Sequence, residues 1–269
     1  MNRFHGIRCV AIAVCLLFAA ADGYAQGGAG YTPQSGQEGK DVIWMPTLPE
    51  LVDTMLDIAE VTSSDYLIDL GSGDGRVVIA AAKRGATALG IDYNPDLVEF
   101  AKRAAEAAGV SANARFQNAD FFHYDFSKAS VLTLFLLQDL NLELRPKILD
   151  MKPGTRIVSN TFDMGDWKPD KTKRLTGQDA SSYIIAHLWI VPARVEGYWK
   201  VDGGRISFSQ EFQKVTGTLT LGEQKMELDG KLDGNTLSFH AGGVKYTGTV
   251  SGNTISGTHS GGGSWRATR

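Results

Sequence analysis

The sequence predicts an α/β fold, a mostly parallel sheet covered by helices on both faces, followed by a small all-β meander closed into a barrel. Three observations lead there. Short apolar strands alternate with amphipathic helices from Asp41 to Arg194. A glycine-rich turn, Gly71-Ser72-Gly73-Asp74-Gly75, lies between the first strand and the helix that follows it. From Val195 onward the pattern is strand and turn only, and 15 of the 31 glycines fall in those last 75 residues, which places a domain boundary near Pro192–Glu196.

The chain has 269 residues, 43% apolar, 21% charged, with a formal charge of −3. That composition excludes a disordered tail and gives no electrostatic reason to expect nucleic-acid binding. The only cysteines, Cys9 and Cys15, cannot build a zinc site or a disulfide scaffold. Both lie in residues 1–25, where Arg3 and Arg8 precede an apolar run from Cys9 to Ala21 and Gly23-Tyr24-Ala25 supplies small residues at a cleavage site. This is the layout of a signal peptide, and the run is too short to span a bilayer. The expected product is exported to the periplasm and has no membrane span after cleavage. Residues 26–40, rich in Gly, Gln and Ser, are expected to be a flexible linker.

The domain at 41–194 opens with Thr47-Leu48-Pro49-Glu50, which predicts a capping box with Thr47 as N-cap. Leu51, Val52, Met55, Leu56 and Ala59 then mark one helix face. Tyr66–Leu70 is a short buried strand, Val77–Lys83 an Ala-rich helix closed by Gly85, and Thr87–Ile91 the second strand. Asn94 caps a helix with Pro95 at its first position, ended by Gly109. Ala114–Asn118 and Val131–Leu137 are strands three and four. Leu142–Met151 is a helix in which Pro146 forces a kink or a late start. Thr155–Thr161 and Tyr183–Val191 complete the sheet.

The domain at 195–269 carries a repeat: Leu232-Asp233-Gly234-Asn235-Thr236-Leu237-Ser238 returns 18 residues later as Val250-Ser251-Gly252-Asn253-Thr254-Ile255-Ser256. Each Gly-Asn pair between alternating stretches predicts a tight hairpin. Seven or eight short strands follow, and closing them into a barrel removes the exposed edges.

Chemistry concentrates at three strand ends. Glycines 71, 73 and 75 let the backbone pass close under a ligand, with Ser72 between them. Asp69, two residues before the first glycine, suits a ligand carrying an ammonium group better than a pyrophosphate. Asp92 ends the second strand, where an acid accepts hydrogen bonds from ribose hydroxyls, and Tyr93 flanks it. Asp120-Phe121 after the third strand suits an adenine amino group and its ring face. An amino-acid end, a ribose and an adenine across three strand ends describe S-adenosyl-L-methionine. His123 and His187 lack ligand-spaced partners, so no metal site is expected.

With these residues in place, the chain resembles class I S-adenosylmethionine-dependent methyltransferases. Within them it looks like the archaeal, bacterial and mitochondrial protein-lysine methyltransferase group and its exported bacterial relatives. The stretches concerned are WMPTLPELVDTML, DLGSGDGR (69–76), GIDYNP (90–95), NADFF (118–122), TLFLLQDLNLELRPKI (133–148) and SNTFDMGDWKP (159–169). The resemblance implies a Rossmann-like sheet of seven strands, one of them antiparallel. It implies that Asp69, Gly71, Gly73 and Gly75 hold the methionine end, Asp92 the ribose, Asp120 and Phe121 the adenine, and that Pro46 and Thr47 cap the cofactor. Trp44, Phe135, Asn141, Phe162 and Trp167 are the candidates for an acceptor channel, although Trp44, Phe135 and Phe162 are equally readable as plain core aromatics. Asp139 is readable as a base or as an ordinary acid at a helix start.

Three functions are expected in order: methyl transfer to protein lysine, methyl transfer to a small molecule, and an exported protein that binds the cofactor or a nucleoside without turnover.

Overall fold

The computed structural model describes residues 30–40, 43–176 and 183–269. The expected signal segment 1–25 and residues 26–29 of the expected linker lie outside the described residues.

The first helix, α1 (Pro49–Ile58), buries Leu51, Val52, Met55 and Leu56, as its periodicity requires. The capping box at Thr47 does not form. The cap position is Leu48, without a side-chain hydrogen bond, because Pro49 starts the helix with a residue that has no N–H to satisfy. The Thr47 hydroxyl accepts from Asn160 Nδ2 at 3.2 Å instead.

Strands β1 (Tyr66–Leu70), β2 (Thr87–Asp92) and β3 (Ala114–Asn118) alternate with α2 (Arg76–Lys83) and α3 (Pro95–Ala107). Asn94 caps α3 as expected, its Oδ1 accepting from the Asp96 amide at 2.9 Å. β4 (Val131–Leu134), α4 (Gln138–Leu149), β5 (Arg156–Asn160), β6 (Lys171–Arg174) and β7 (Ile185–Ile190) follow. The sheet order is β3-β2-β1-β4-β5-β7-β6, and β7 alone runs against its neighbours. Alternate residues of β1 serve the two faces: Leu67 packs with α1, α2 and α3, while Ile68 and Leu70 pack with α4.

Three elements differ from the expectation. α4 begins four residues earlier than Leu142 and contains Pro146. The strand before it stops at Leu134, so the apolar run to Leu137 leads into the helix. β6 carries no apolar signal because its four residues, Lys-Thr-Lys-Arg, are all exposed on a sheet edge. Such charge on an edge strand opposes pairing with other chains.

The remaining eight strands are β8 (Gly197–Val201), β9 (Gly204–Glu211), β10 (Lys214–Leu221), β11 (Gln224–Asp233), β12 (Thr236–Ala241), β13 (Val244–Ser251), β14 (Thr254–His259) and β15 (Ser264–Thr268). Each pairs antiparallel with the next, and β15 returns to β8 through Ala267↔Val201 and Thr268↔Lys200 to close the barrel. The two repeats supply the β11–β12 and β13–β14 turns, with Gly234 and Gly252 both at φ 55°. Other glycines serve closure rather than turns. A Cβ on Gly230 or Gly257 would come within 2.2 or 1.8 Å of a backbone oxygen on a neighbouring strand.

Gly75 shows how tightly the sheet and helices meet. It has φ 82°, and a Cβ there would lie 2.6 Å from the Phe116 ring and 2.8 Å from Ala101 Cβ. Gly109, at φ 69°, faces open space. Gly109→Ala should cost about 1 kcal/mol, the left-handed penalty alone. Gly75→Ala should lose roughly 1–3 kcal/mol more because the clash adds to it. Urea unfolding of the two variants checks the difference; equal losses would show that helix–sheet packing does not require Gly75.

Candidate active site

The carboxyl ends of β1 and β2 are tied together by the loop between β1 and α2. The amides of Gly71 and Ser72 both donate to Ile91 O, at 2.8 and 3.0 Å. The Gly73 amide donates to Asp92 Oδ2 at 2.8 Å, and Asn94 N donates to Asp92 Oδ1 at 2.9 Å. Burial pushes the Asp92 carboxyl up, while these two amides hold it down. Asp69 is 5% exposed and accepts from Thr133 Oγ1 at 2.6 Å. Burial pushes its carboxyl up to about 7; the Thr133 hydrogen bond opposes that shift, and the nearby charges of Asp92 and Asp74 add to it.

A cleft of about 910 Å³, part of it open to solvent, lies over these ends. Its floor includes Asp69, Gly71, Ser72, Gly73 and Asp92, and its walls include Tyr93, Phe121 and Leu136. The segment before α1 covers one side with Trp44, Met45, Pro46 and Thr47. Arg76 anchors this cover: Nη1 donates to Thr47 O at 2.6 Å, and Nε and Nη2 grip Asp74.

A second cavity of about 380 Å³, also partly open to solvent, adjoins the first and shares Ile43, Met45 and Phe135 with it. Its remaining walls are Leu137, Phe162 and Tyr183. The three rings form a triangle: Phe135 to Tyr183 is 5.2 Å, Phe162 to Tyr183 6.0 Å and Phe135 to Phe162 6.3 Å between centroids.

Most expected site residues meet in these two cavities, and four do not. Gly75 lines neither; its glycine is required by Phe116 and Ala101 beneath it. Asp120 is not in the cleft wall. Its Oδ2 binds Lys40 Nζ at 2.7 Å, its Oδ1 accepts from Phe122 N, and the Lys40 hydrogen bond above all holds its carboxyl below the usual range. Asn141 is fully buried behind the second cavity, where Nδ2 donates to Phe162 O at 3.2 Å and Asp163 O at 3.3 Å. Trp167 is a core residue, not a channel wall. The short bridge between Met164 and Trp167 accompanies burial of its ring, which packs with Trp189 and Phe212. Asp139, the acid with two readings, is exposed at the start of α4 and lines neither cavity.

Three further participants carry no clear signal in the sequence. Tyr183 completes the ring triangle but reads in sequence as the first residue of a strand. Met45 lines both cavities. Gly90 lies under the loop, where a Cβ would meet Ser72 Oγ at 2.6 Å; the GIDYNP motif contains it without showing that contact.

The site fits S-adenosylmethionine on its own geometry. Ser72 Oγ is buried without a hydrogen-bond partner among the described residues. A Cβ on Gly73 would fall 2.3 Å from Trp44 Nε1, so backbone alone fits in that cradle. Two buried acids, Asp69 and Asp92, stand ready for a cationic amine and for hydroxyl donors.

Comparisons with known proteins agree. The family described as ANTKMT methyltransferase domain matches residues 69–171. The protein-lysine N-methyltransferase of Saccharolobus islandicus (strain REY15A) is 36% identical over 153 residues, 56% of this chain and 94% of that protein. The adenine nucleotide translocase lysine N-methyltransferase of Mus musculus is 34% identical over 105 residues, 38% of this chain and 46% of that enzyme, so the match spans less than half of it. The crystal structure of an RNA methyltransferase from Salinibacter ruber with S-adenosyl-L-homocysteine is 43% identical with a TM-score of 0.53, covering 56% of this chain and 96% of that one.

The burial of Asp69 has a pH signature. A carboxyl raised from 3.8 to about 7 holds its proton longer in the folded chain than in the unfolded one. Folding stability supplied this way is present at low pH and lost as pH rises from about 4 to 7, by at most about 1.4 kcal/mol per pH unit. Thermal unfolding of the wild type should therefore lose ground to Asp69→Asn across that window and run parallel to it above. A constant offset from pH 4 to 8 would mean that the carboxylate is not desolvated.

Proposed function

We infer that this chain, which belongs to the S-adenosylmethionine-dependent methyltransferase family of its archaeal relative, transfers methyl groups to the side-chain amine of protein lysine. The observation that carries this reading is the aromatic cavity of Phe135, Phe162 and Tyr183 adjoining the cofactor cleft. The names of the archaeal and mouse relatives support the same acceptor.

Bound S-adenosylmethionine supplies a methyl group already activated on a sulfonium, so the protein's task is to align the acceptor and keep water out. Asp69 holds the amino end of the methionine moiety, and Ser72 and the Gly71–Gly73 backbone line its path. Asp92 keeps lone pairs for the ribose hydroxyls while its oxygens also bind two amides. Phe121 flanks the base. Trp44, Pro46 and Thr47 shield the cleft from the side of α1. A lysine amine must be neutral to attack. The apolar walls of Ile43, Met45, Phe135, Leu137, Phe162 and Tyr183 disfavour its ammonium form, and the open rim lets the proton leave to water as the chain enters.

Export is proposed on the n-region, apolar run and small-residue site of residues 1–25. Fractionation of expressing cells tests it: a cytosolic product that keeps residues 1–25 would remove this part of the reading.

The full chain, incubated with methyl-labelled cofactor and a bacterial envelope extract, should label protein, and acid hydrolysis should return the label on methylated lysine. Label recovered only in RNA or in small solutes would overturn lysine as acceptor. Asp92→Ala should weaken S-adenosylhomocysteine binding by about 10- to 100-fold, since charge-assisted hydrogen bonds and the Gly73 anchor go together. Unchanged affinity by calorimetry would displace Asp92 from the ribose site.

A further inference from the structure

The loop from Thr161 to Lys168 carries Phe162 into the second cavity, and it is gripped from two sides. From α4, Asn141 Nδ2 donates to Phe162 O and Asp163 O, and Arg145 Nη1 donates to Met164 O at 2.7 Å and pairs with Asp166. From the barrel, the turn between β9 and β10 reaches the same loop. The Phe212 ring stacks on Trp167 at 5.9 Å between centroids and 15° between planes, and the Arg145 guanidinium lies 5.4 Å from the Phe212 centroid. Gln213 Nε2 donates to Lys168 O at 2.8 Å.

The backbone at this contact is unusual. Phe212 has φ 53°, a left-handed conformation that a bulky residue adopts only under constraint, and Thr161 at the other end of the loop has φ 63°. Gln210 holds the turn in place: its Nε2 donates to Phe212 O at 2.8 Å and Ala193 O at 2.9 Å, while its Oε1 accepts from Val195 N at 2.7 Å. Glycine would occupy φ 53° without strain, yet the chain places an aromatic ring there, against the loop that walls the acceptor cavity.

We propose that the barrel acts on the acceptor side of the reaction, with Phe212 as a positioning residue that holds the 161–168 loop, and through it Phe162, in place. This rests on the reading of the second cavity as the acceptor channel. No barrel residue lines either cavity, so the barrel acts through the 161–168 loop, which gives Phe162 to the second cavity and no residue to the cofactor cleft. Small shifts of a positioning wall are costly, because alignment of acceptor and methyl group carries much of the rate.

The test uses the full chain with three substitutions. Phe212→Gly removes the ring and relieves the positive φ, so the barrel keeps its turn. Phe212→Tyr keeps the ring, and Gln213→Ala removes the second grip. Hydrogen exchange should speed up at amides 161–168 in Phe212→Gly and stay unchanged at 71–76. The amount of envelope extract giving half-maximal methyl incorporation should rise roughly 10-fold, with S-adenosylhomocysteine affinity unchanged. Phe212→Tyr should restore both readouts, and Gln213→Ala should move them in the same direction by less. Unchanged exchange at 161–168, or faster exchange with unchanged half-saturation, overturns the proposal, as does a loss of cofactor affinity equal to the loss on the acceptor side. Hydrolysis of the labelled product reports separately on lysine: label on another group overturns the acceptor reading while the half-saturation comparison still decides the role of Phe212.

Discussion

Two amides donating to one carbonyl hold the site together. Gly71 and Ser72 both bond Ile91 O, which joins the loop after β1 to the end of β2. That tie brings Gly73 under Asp92 and leaves Asp69 buried beside it, so two carboxylates share one desolvated corner. Buried acids are destabilising unless their oxygens are taken by donors. Here Thr133, Gly73 and Asn94 take them in part, and Asp69 still titrates near neutrality. The corner is therefore built for a partner that brings both a cation and hydroxyl donors.

The cover over this corner depends on a second tie. Arg76 begins α2, and its guanidinium reaches the Thr47 carbonyl while Asp74 fixes its angle. Asn160 at the end of β5 reaches the Thr47 hydroxyl. One threonine thus joins the segment before α1 to the glycine loop and to the acceptor half of the sheet. Thr47 is held from both sides, by Arg76 at its carbonyl and by Asn160 at its hydroxyl.

The parallel core was legible because its strands and helices alternate with strong periodicity, and the cofactor loop because Gly71, Gly73, Asp69 and Asp92 fall together at the ends of two neighbouring strands. Where the reading failed, the cause is local. Lys171–Arg174 has no apolar residue to announce a strand. Trp167 looked like a site residue because an aromatic in a loop carries no sign of which way it faces, and only the sheet behind it decides. Asp120 follows β3 as its place in the sequence requires, and its partner Lys40 comes from a segment far away in sequence. Asn141, a candidate for the acceptor channel, donates to the backbone carbonyls of Phe162 and Asp163. Tyr183 and Phe212 contribute through contacts between distant segments, which no single-sequence pattern encodes.

The barrel's topology also bears on the order in which the protein matures. Every strand pair in it is a hairpin between sequence neighbours except the last, β15 with β8. Hairpins close quickly because little loop entropy is lost, whereas ring closure must wait for Ala267 and Thr268. During synthesis the sheet domain emerges first and the closing strand last. The cofactor corner draws no residue from the barrel, whereas the turn that meets Trp167 and Lys168 belongs to a ring that stays an open ribbon until β15 pairs with β8.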